Sequence, residues 1–204
     1  MSVMLIFINL PTLITFLGVV LALAALVLAL EGSPNIAWVC FIGAGLADLF
    51  DGLVARKTRM TAEQAKLGVQ IDSLADMVSF GIVPAGLLYI MGLSGGITDY
   101  VFLCLYVLAV SQRLAYFNVH GMSDGAQTHY TGLPVTYSAL VLPLLYIFQD
   151  AFLSDYAGLI LMKTCLILLT VLYVSKLPVP KPVGVMYGIF PLIAIACSVY
   201  LLFT

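Results

Sequence analysis

The 204 residues are 63% apolar and only 9% charged, with a mean hydropathy of +1.14, against roughly 45–50% and about 25% for an average soluble domain. Eight Lys+Arg and ten Asp+Glu cannot cover the surface of a water-soluble fold of this size, and the same hydrophobicity excludes a disordered chain. A net charge of −2 gives no basic footprint for nucleic acid, so the chain reads as an all-α, polytopic transmembrane helical bundle whose few charges are costly and therefore informative.

A helical span takes about 20 mostly apolar residues, and the predicted spans run over 10–30, 35–55, 68–92, 98–118, 133–149, 157–175 and 183–203. Counts of six to eight fit, because the 133–149 stretch is short and carries Pro143. Turn chemistry marks the breaks at Glu31–Pro34, Gly92–Asp99, Gly121–Gly132, Gln149–Asp155 and Lys176–Pro182. A membrane β-barrel would instead show short alternating segments. No Lys or Arg precedes Arg56, so the first apolar stretch is expected to be a retained span and not a cleaved leader. Residues 1–204 read as one integral membrane domain. Cys40, Cys104, Cys165 and Cys197 lie in separate apolar stretches, as small buried hydrophobes do.

Seven of the eight basic residues fall at alternate connections: Arg56, Lys57, Arg59 and Lys66 after the second span, Arg113 near the end of the fourth, Lys176 and Lys181 after the sixth. The opposite connections carry Glu31, Asp99, Asp150 and Asp155, read as surface acids together with Asp124. The positive-inside rule predicts that the basic side faces the cytoplasm. Lys163 lies inside the sixth span, where snorkelling or a modest helix shift is the favoured reading and a polar cavity the other.

The segment from Asp48 to Asp76 carries the chemistry. Nine of the eighteen charges lie in these 29 residues, namely Asp48, Asp51, Glu63, Asp72 and Asp76 with the four bases between them. Asp48 and Asp51 are spaced i, i+3, and Asp72 and Asp76 are spaced i, i+4, so each pair shares a helix face. Gly68 lies on the second of these faces. The basic segment between them turns the chain back, and four converging carboxylates repel one another unless cations sit between them. An Asp at mid-helix costs about 2.5–3.5 kcal/mol on insertion scales, and four unpaired ones cost on the order of 10 kcal/mol.

Hard oxygen ligands select Mg²⁺, Mn²⁺ or Ca²⁺, and paired ions can brace attacking and leaving oxygens in phosphoryl-type transfer. Gly52 and Gly68 leave room for a phosphate or ribose against the backbone, and Arg56 can fork onto phosphate oxygens. On spacing alone three readings stand: a metal-dependent enzyme, the ion site of a cation transporter, and a solvated loop.

The order Asp48-x-x-Asp51-Gly52-x-x-Ala55-Arg56, a spacer, then Gly68-x-x-x-Asp72-x-x-x-Asp76 resembles the signature of the CDP-alcohol phosphotransferase family at all eight fixed positions. The spacer Lys57–Leu67 is a few residues longer than the family's usual one and is expected to extend an exposed turn. Ser73–Ala85, Arg113–Asn118 (with Tyr116 in place of a second Arg), Thr131–Pro134 and Val174–Lys176 are similar to the phosphatidylserine synthase branch. Leu10–Thr15 resembles the family's opening P-N-x-x-T, with Thr12 in place of the Asn.

The resemblance implies two Mg²⁺ or Mn²⁺ ions held by Asp48, Asp51 and Asp72, with Asp76 at the edge of the metal site and acting as the catalytic proton acceptor. It implies a CDP-linked lipid (CDP-diacylglycerol or an archaeal CDP-lipid) against Gly52, Ala55, Arg56 and Gly68. The implied acceptor is L-serine, held by Arg113 with Asn118, Ser79 or Lys176. Glycerol 3-phosphate or an inositol phosphate is the alternative acceptor. A homodimer in the cell membrane, with the site facing the cytoplasm, is the implied assembly. His120 and His129 are expected in solvent.

Overall fold

The computed structural model describes residues 9–120, 129–180 and 186–204. The expectations for Asp124, Lys181, the side chain of His129, the Gly121–Thr128 part of one break and the first residues of the last predicted span lie outside the described residues.

The first helix, α1 (Leu10–Leu30), is apolar on every side, so hydrophobicity alone does not choose its buried face. Side-chain size does. Gly18, Ala22, Ala25 and Ala29 are buried, whereas Leu13, Leu17, Val20, Leu23 and Val27 remain exposed on the outside of the bundle. This small-residue stripe lets α1 lie directly on α2 (Pro34–Ala55), where a Cβ on Gly18 would come within 3.2 Å of the Ala47 Cβ. Gly32, at φ +75°, ends α1, and Ser33 N–H closes the turn onto the Leu28 carbonyl at 2.9 Å.

The next helix begins earlier than the hydropathy suggests. Thr61 and Gln64 form a reciprocal capping box, so α3 runs over Ala62–Asp76 and the connecting elbow is only 56–61. The predicted exposed turn at Lys57–Leu67 is thus half helix, and the predicted span at 68–92 belongs, up to Ile90, to a continuous 29-residue helix that starts at Ala62. Directly after Asp76 the helix widens into π geometry over Met77–Ile82, then resumes as α4 (Val83–Ile90). Pro84 has no N–H to return to the carbonyl of Phe80 four residues earlier. The hydroxyl of the fully buried Tyr106 donates to that carbonyl at 2.7 Å instead.

Helix α5 (Ile97–His120) carries Tyr106 and Arg113. A strand pair, β1 (His129–Thr131) with β2 (Pro178–Pro180), brings the two ends of the helical hairpin over 138–174 together in antiparallel register. Helix α6 (Ser138–Phe152) contains Pro143, α7 runs over Asp155–Val174, and α8 over Met186–Phe203. Trp38, Phe41, Phe80, Leu142, Leu166 and Tyr173 form the centre of the core.

Among the described residues, six helices are long and apolar enough to cross a membrane, and Gly188–Phe203 is a shorter apolar helix. The all-α, multi-pass architecture read from composition is the one the chain adopts.

Lys163, inside the sixth predicted span, finds a specific partner at one end of a neighbouring helix. Its ammonium pairs with Asp99 at the start of α5 and lies 5.5 Å from the centre of the Phe102 ring. Asp99, expected as a surface acid, also accepts from the Gly95 N–H at 3.1 Å. Removing either charge leaves the other unpaired at the bundle edge. We expect Asp99→Asn and Lys163→Met each to lower the unfolding temperature in detergent, and the double variant to lose less than the sum of the two.

Candidate active site

One cavity of about 510 Å³ opens between α1, α2, α3, α5 and the 134–140 segment, and all eight signature residues line it. Asp48, Asp51, Gly52 and Ala55 come from the last turns of α2, and Arg56 from its C-cap. Gly68, Asp72 and Asp76 come from α3. The faces converge because the elbow is short and α1 packs against both helices.

One carboxylate oxygen each from Asp48, Asp72 and Asp76 lies within 4.8 Å of the others. Asp51 belongs to the same cavity wall but is 5% exposed and accepts a hydrogen bond from the Thr15 hydroxyl. The closest carboxylate group therefore contains Asp76, expected at the edge, in place of Asp51. Three like charges at this separation repel strongly unless a cation is bound between them, and a set of hard carboxylate oxygens suits Mg²⁺ or Mn²⁺. The surroundings fit such a group and an anionic ligand beside it. A Cβ built on Gly52 or on Gly68 meets no atom within 4 Å, so both glycines keep the cavity floor open.

The residues expected around an amino-acid acceptor are not gathered in one place. Arg113 is 6% exposed and lines the cavity, but its Nε donates to the Leu133 carbonyl at 3.1 Å and its Nη2 to the Gly132 carbonyl at 3.2 Å. It therefore holds the 132–137 segment, which forms one cavity wall, as well as facing the cavity. Asn118 accepts from the Ser73 hydroxyl at 2.9 Å and lies outside the lining. Ser79 is buried in the π-helical stretch, and Lys176 is exposed beyond the end of α7; neither lines the cavity. Tyr116 is exposed and stacks on the exposed His120 ring at 4.3 Å.

Sequence reasoning missed several lining residues. Asn9 caps α1, accepting from the Thr12 N–H and hydroxyl, and its amide donates to the Met60 sulfur at 3.4 Å, which ties the start of α1 to the elbow. Thr15 was present in the opening motif, yet nothing in the motif named Asp51 as its partner. Thr136, Tyr137 and Phe190 arrive from distant segments, with the Tyr137 and Phe190 rings 5.6 Å apart.

The wall held by Arg113 turns at Gly132, whose φ is +82° and whose N–H donates to the Leu177 carbonyl at 2.7 Å. A Cβ there would sit 2.7 Å from the Ser175 carbonyl oxygen. We expect Gly132→Ala to destabilise the protein by at least about 1–2 kcal/mol from the left-handed conformation alone, seen as a lower unfolding temperature in detergent, and to lower any activity of the site.

A family described as CDP-alcohol phosphatidyltransferase matches residues 8–200. The chain belongs to that family. It is similar to the CDP-diacylglycerol–serine O-phosphatidyltransferase of Mycobacterium bovis, 39% identical over 121 residues, which cover 59% of this chain and 41% of the relative. It is similar as well to the archaetidylserine synthase of Methanothermobacter thermautotrophicus, 32% identical over 178 residues, covering 87% of this chain and 72% of the relative. A third relative is the CDP-diacylglycerol–serine O-phosphatidyltransferase of Saccharomyces cerevisiae, 32% identical over 147 residues, with 69% and 53% covered. The matched part of the chain spans about two fifths of the mycobacterial relative's length.

Proposed function

We propose that this protein is a metal-dependent transferase that moves a phosphatidyl or archaetidyl group from a CDP-activated lipid to the hydroxyl of L-serine, releasing CMP. The single observation that carries the reading is the convergence of Asp48, Asp72 and Asp76 in a cavity lined by all eight signature residues. The names of the relatives, which include both a diacylglycerol-type and an archaetidyl-type enzyme, support serine as the acceptor.

Asp48 and Asp72 would hold the divalent ions together with Asp51 on the cavity wall, and Asp76 stands against the same site. Bound Mg²⁺ or Mn²⁺ supplies charge neutralisation of the substrate pyrophosphate and of the oxygen that leaves with CMP. Gly52 and Gly68 let the CDP moiety approach the helix backbones, Ala55 keeps that wall low, and Arg56 pairs with phosphate oxygens. The serine hydroxyl oxygen forms a bond to the lipid-side phosphorus while the bond from that phosphorus to the CMP oxygen breaks. The hydroxyl proton passes to an oxygen of Asp76. Asp76 contributes as a positioned acceptor that becomes effective as the hydroxyl acidifies in the transition state. Arg113, placed at the cavity wall, is the candidate partner for the serine carboxylate. Asn118, Ser79 and Lys176 lie outside the lining and would reach the acceptor only after a rearrangement.

The elbow holding Arg56, Lys57 and Arg59, with Lys66 one turn into α3, lies at the same end as the acidic cluster. The positive-inside rule therefore supports a site that faces the cytoplasm from the cell membrane. Residues 1–204 act as one membrane-embedded unit, with 48–76 as its catalytic segment, and a homodimer is the assembly expected by family analogy.

An acceptor screen tests the reading. Purified protein in vesicles is given CDP-diacylglycerol or its archaeal ether counterpart, Mg²⁺ or Mn²⁺, and labelled L-serine, glycerol 3-phosphate or inositol phosphate. Label from serine should enter lipid. If serine never enters lipid while another alcohol does, the acceptor assignment is wrong.

A further inference from the structure

A second, much smaller cavity lies on the far side of the core from the acidic cluster. It measures about 10 Å³ and is lined by Trp38 of α2, Tyr146 and Gln149 of α6, and Leu159 and Met162 of α7, with Leu88, Met91 and Leu93 closing it. Two of its lining side chains carry the buried polar atoms that have no hydrogen-bond partner among the described residues: the indole Nε1 of Trp38 and the Oε1 of Gln149. One is a donor and the other an acceptor. A buried donor or acceptor left without a partner is costly.

The Trp38 side chain is not free to turn away. Trp38 is 0% exposed and packed between the edge of Phe41, at 5.7 Å, and the Tyr146 ring, at 5.6 Å. Tyr146 is fixed in turn by its hydroxyl, which donates to the Asn35 side chain at 3.0 Å. The Gln149 amide lies over Gly158, where a Cβ would come within 2.8 Å of Oε1, so the glycine makes room for the amide to reach inward. A cavity of roughly 10–15 Å³ on this measure admits one water, provided the water finds two to four polar partners.

We infer that this cavity binds a single ordered water that accepts from the Trp38 N–H and donates to Gln149, bridging α2 to the last turns of α6. Water both donates and accepts, so the bridge holds for either orientation of the glutamine amide. It fastens the half of α2 that lies away from Asp48 and Asp51, and it is independent of the transferase reading.

The chain contains one tryptophan, so the ¹⁵N-labelled full-length protein in detergent micelles gives one indole N–H resonance. We expect a cross-relaxation peak between that proton and water, with the indole proton at a hydrogen-bonded, downfield position. In Gln149→Met, which keeps the volume but removes the amide, the peak should vanish and the indole proton should move upfield. A wild-type indole proton with no water peak overturns the proposal, and at a downfield shift it would indicate a direct bond instead. A water peak unchanged in Gln149→Met also overturns it, because the water would then be held by other groups. Should that variant not fold, the wild-type spectrum alone decides.

Discussion

Asp76→Asn should lower turnover by about 10²–10⁴-fold, the range that a positioned proton acceptor contributes, while CDP-lipid binding changes by only a few-fold. Asparagine keeps the size and the planar head group of aspartate, but its amide cannot take the serine proton. The lost interaction is one made in the transition state, so the effect belongs in kcat and not in the KM for the lipid. Asp76 also stands in the closest carboxylate group, and the experiment separates its two possible duties. A variant that still binds Mn²⁺ but does not turn over has lost a base. One that loses Mn²⁺ as well has lost a ligand, and full activity would remove Asp76 from the mechanism.

The second large effect concerns Asp48 and Asp72. Either residue changed to Asn should weaken Mn²⁺ binding by more than the 10–100-fold that loss of an outer-shell partner costs, with a matching loss of CMP release. The same substitution has an opposite effect on the metal-free protein. Three carboxylate oxygens within 4.8 Å repel one another, so removing one charge relieves the folded state. Metal-free Asp72→Asn should therefore unfold at a higher temperature than the metal-free parent. With saturating Mn²⁺ the order should reverse, because only the parent gains the full stabilisation of a ligand that binds the native state. Thermal unfolding with and without the ion reads both signs in one experiment. An unchanged order would argue that the acids do not meet a metal at all.

How far the sequence could be read depended on whether a feature was local. The acids were legible because their spacing forces each pair onto one helix face, and a short basic elbow leaves the two faces little choice but to meet. The stripe Gly18, Ala22, Ala25 and Ala29 carries its own packing instruction in the same way. The capping box at Thr61 and Gln64 is equally local, and it makes the elbow shorter than the Lys57–Leu67 spacer suggests.

Other features depend on which helices become neighbours, and no periodicity states that. Lys163 meets Asp99 only because α7 packs on α5. The link from Thr15 to Asp51 needs α1 against α2 in one register. Arg113 looked like a lone basic residue available to a ligand. It is partly engaged because Gly132, at a positive φ, presents two successive carbonyls to it. Thr136, Tyr137 and Phe190 complete the cavity from more than 50 residues beyond the signature, where no motif marks them.

In the proposed reaction the carboxylate cluster uses a divalent ion to transfer a lipid phosphate onto serine. CMP release by the purified protein, measured with CDP-lipid, L-serine and Mg²⁺ or Mn²⁺ together and with each withheld in turn, tests it most directly. Release is expected only from the complete mixture, abolished by a chelator and restored by added metal. Release at the same rate without serine, or release indifferent to the chelator, would contradict it.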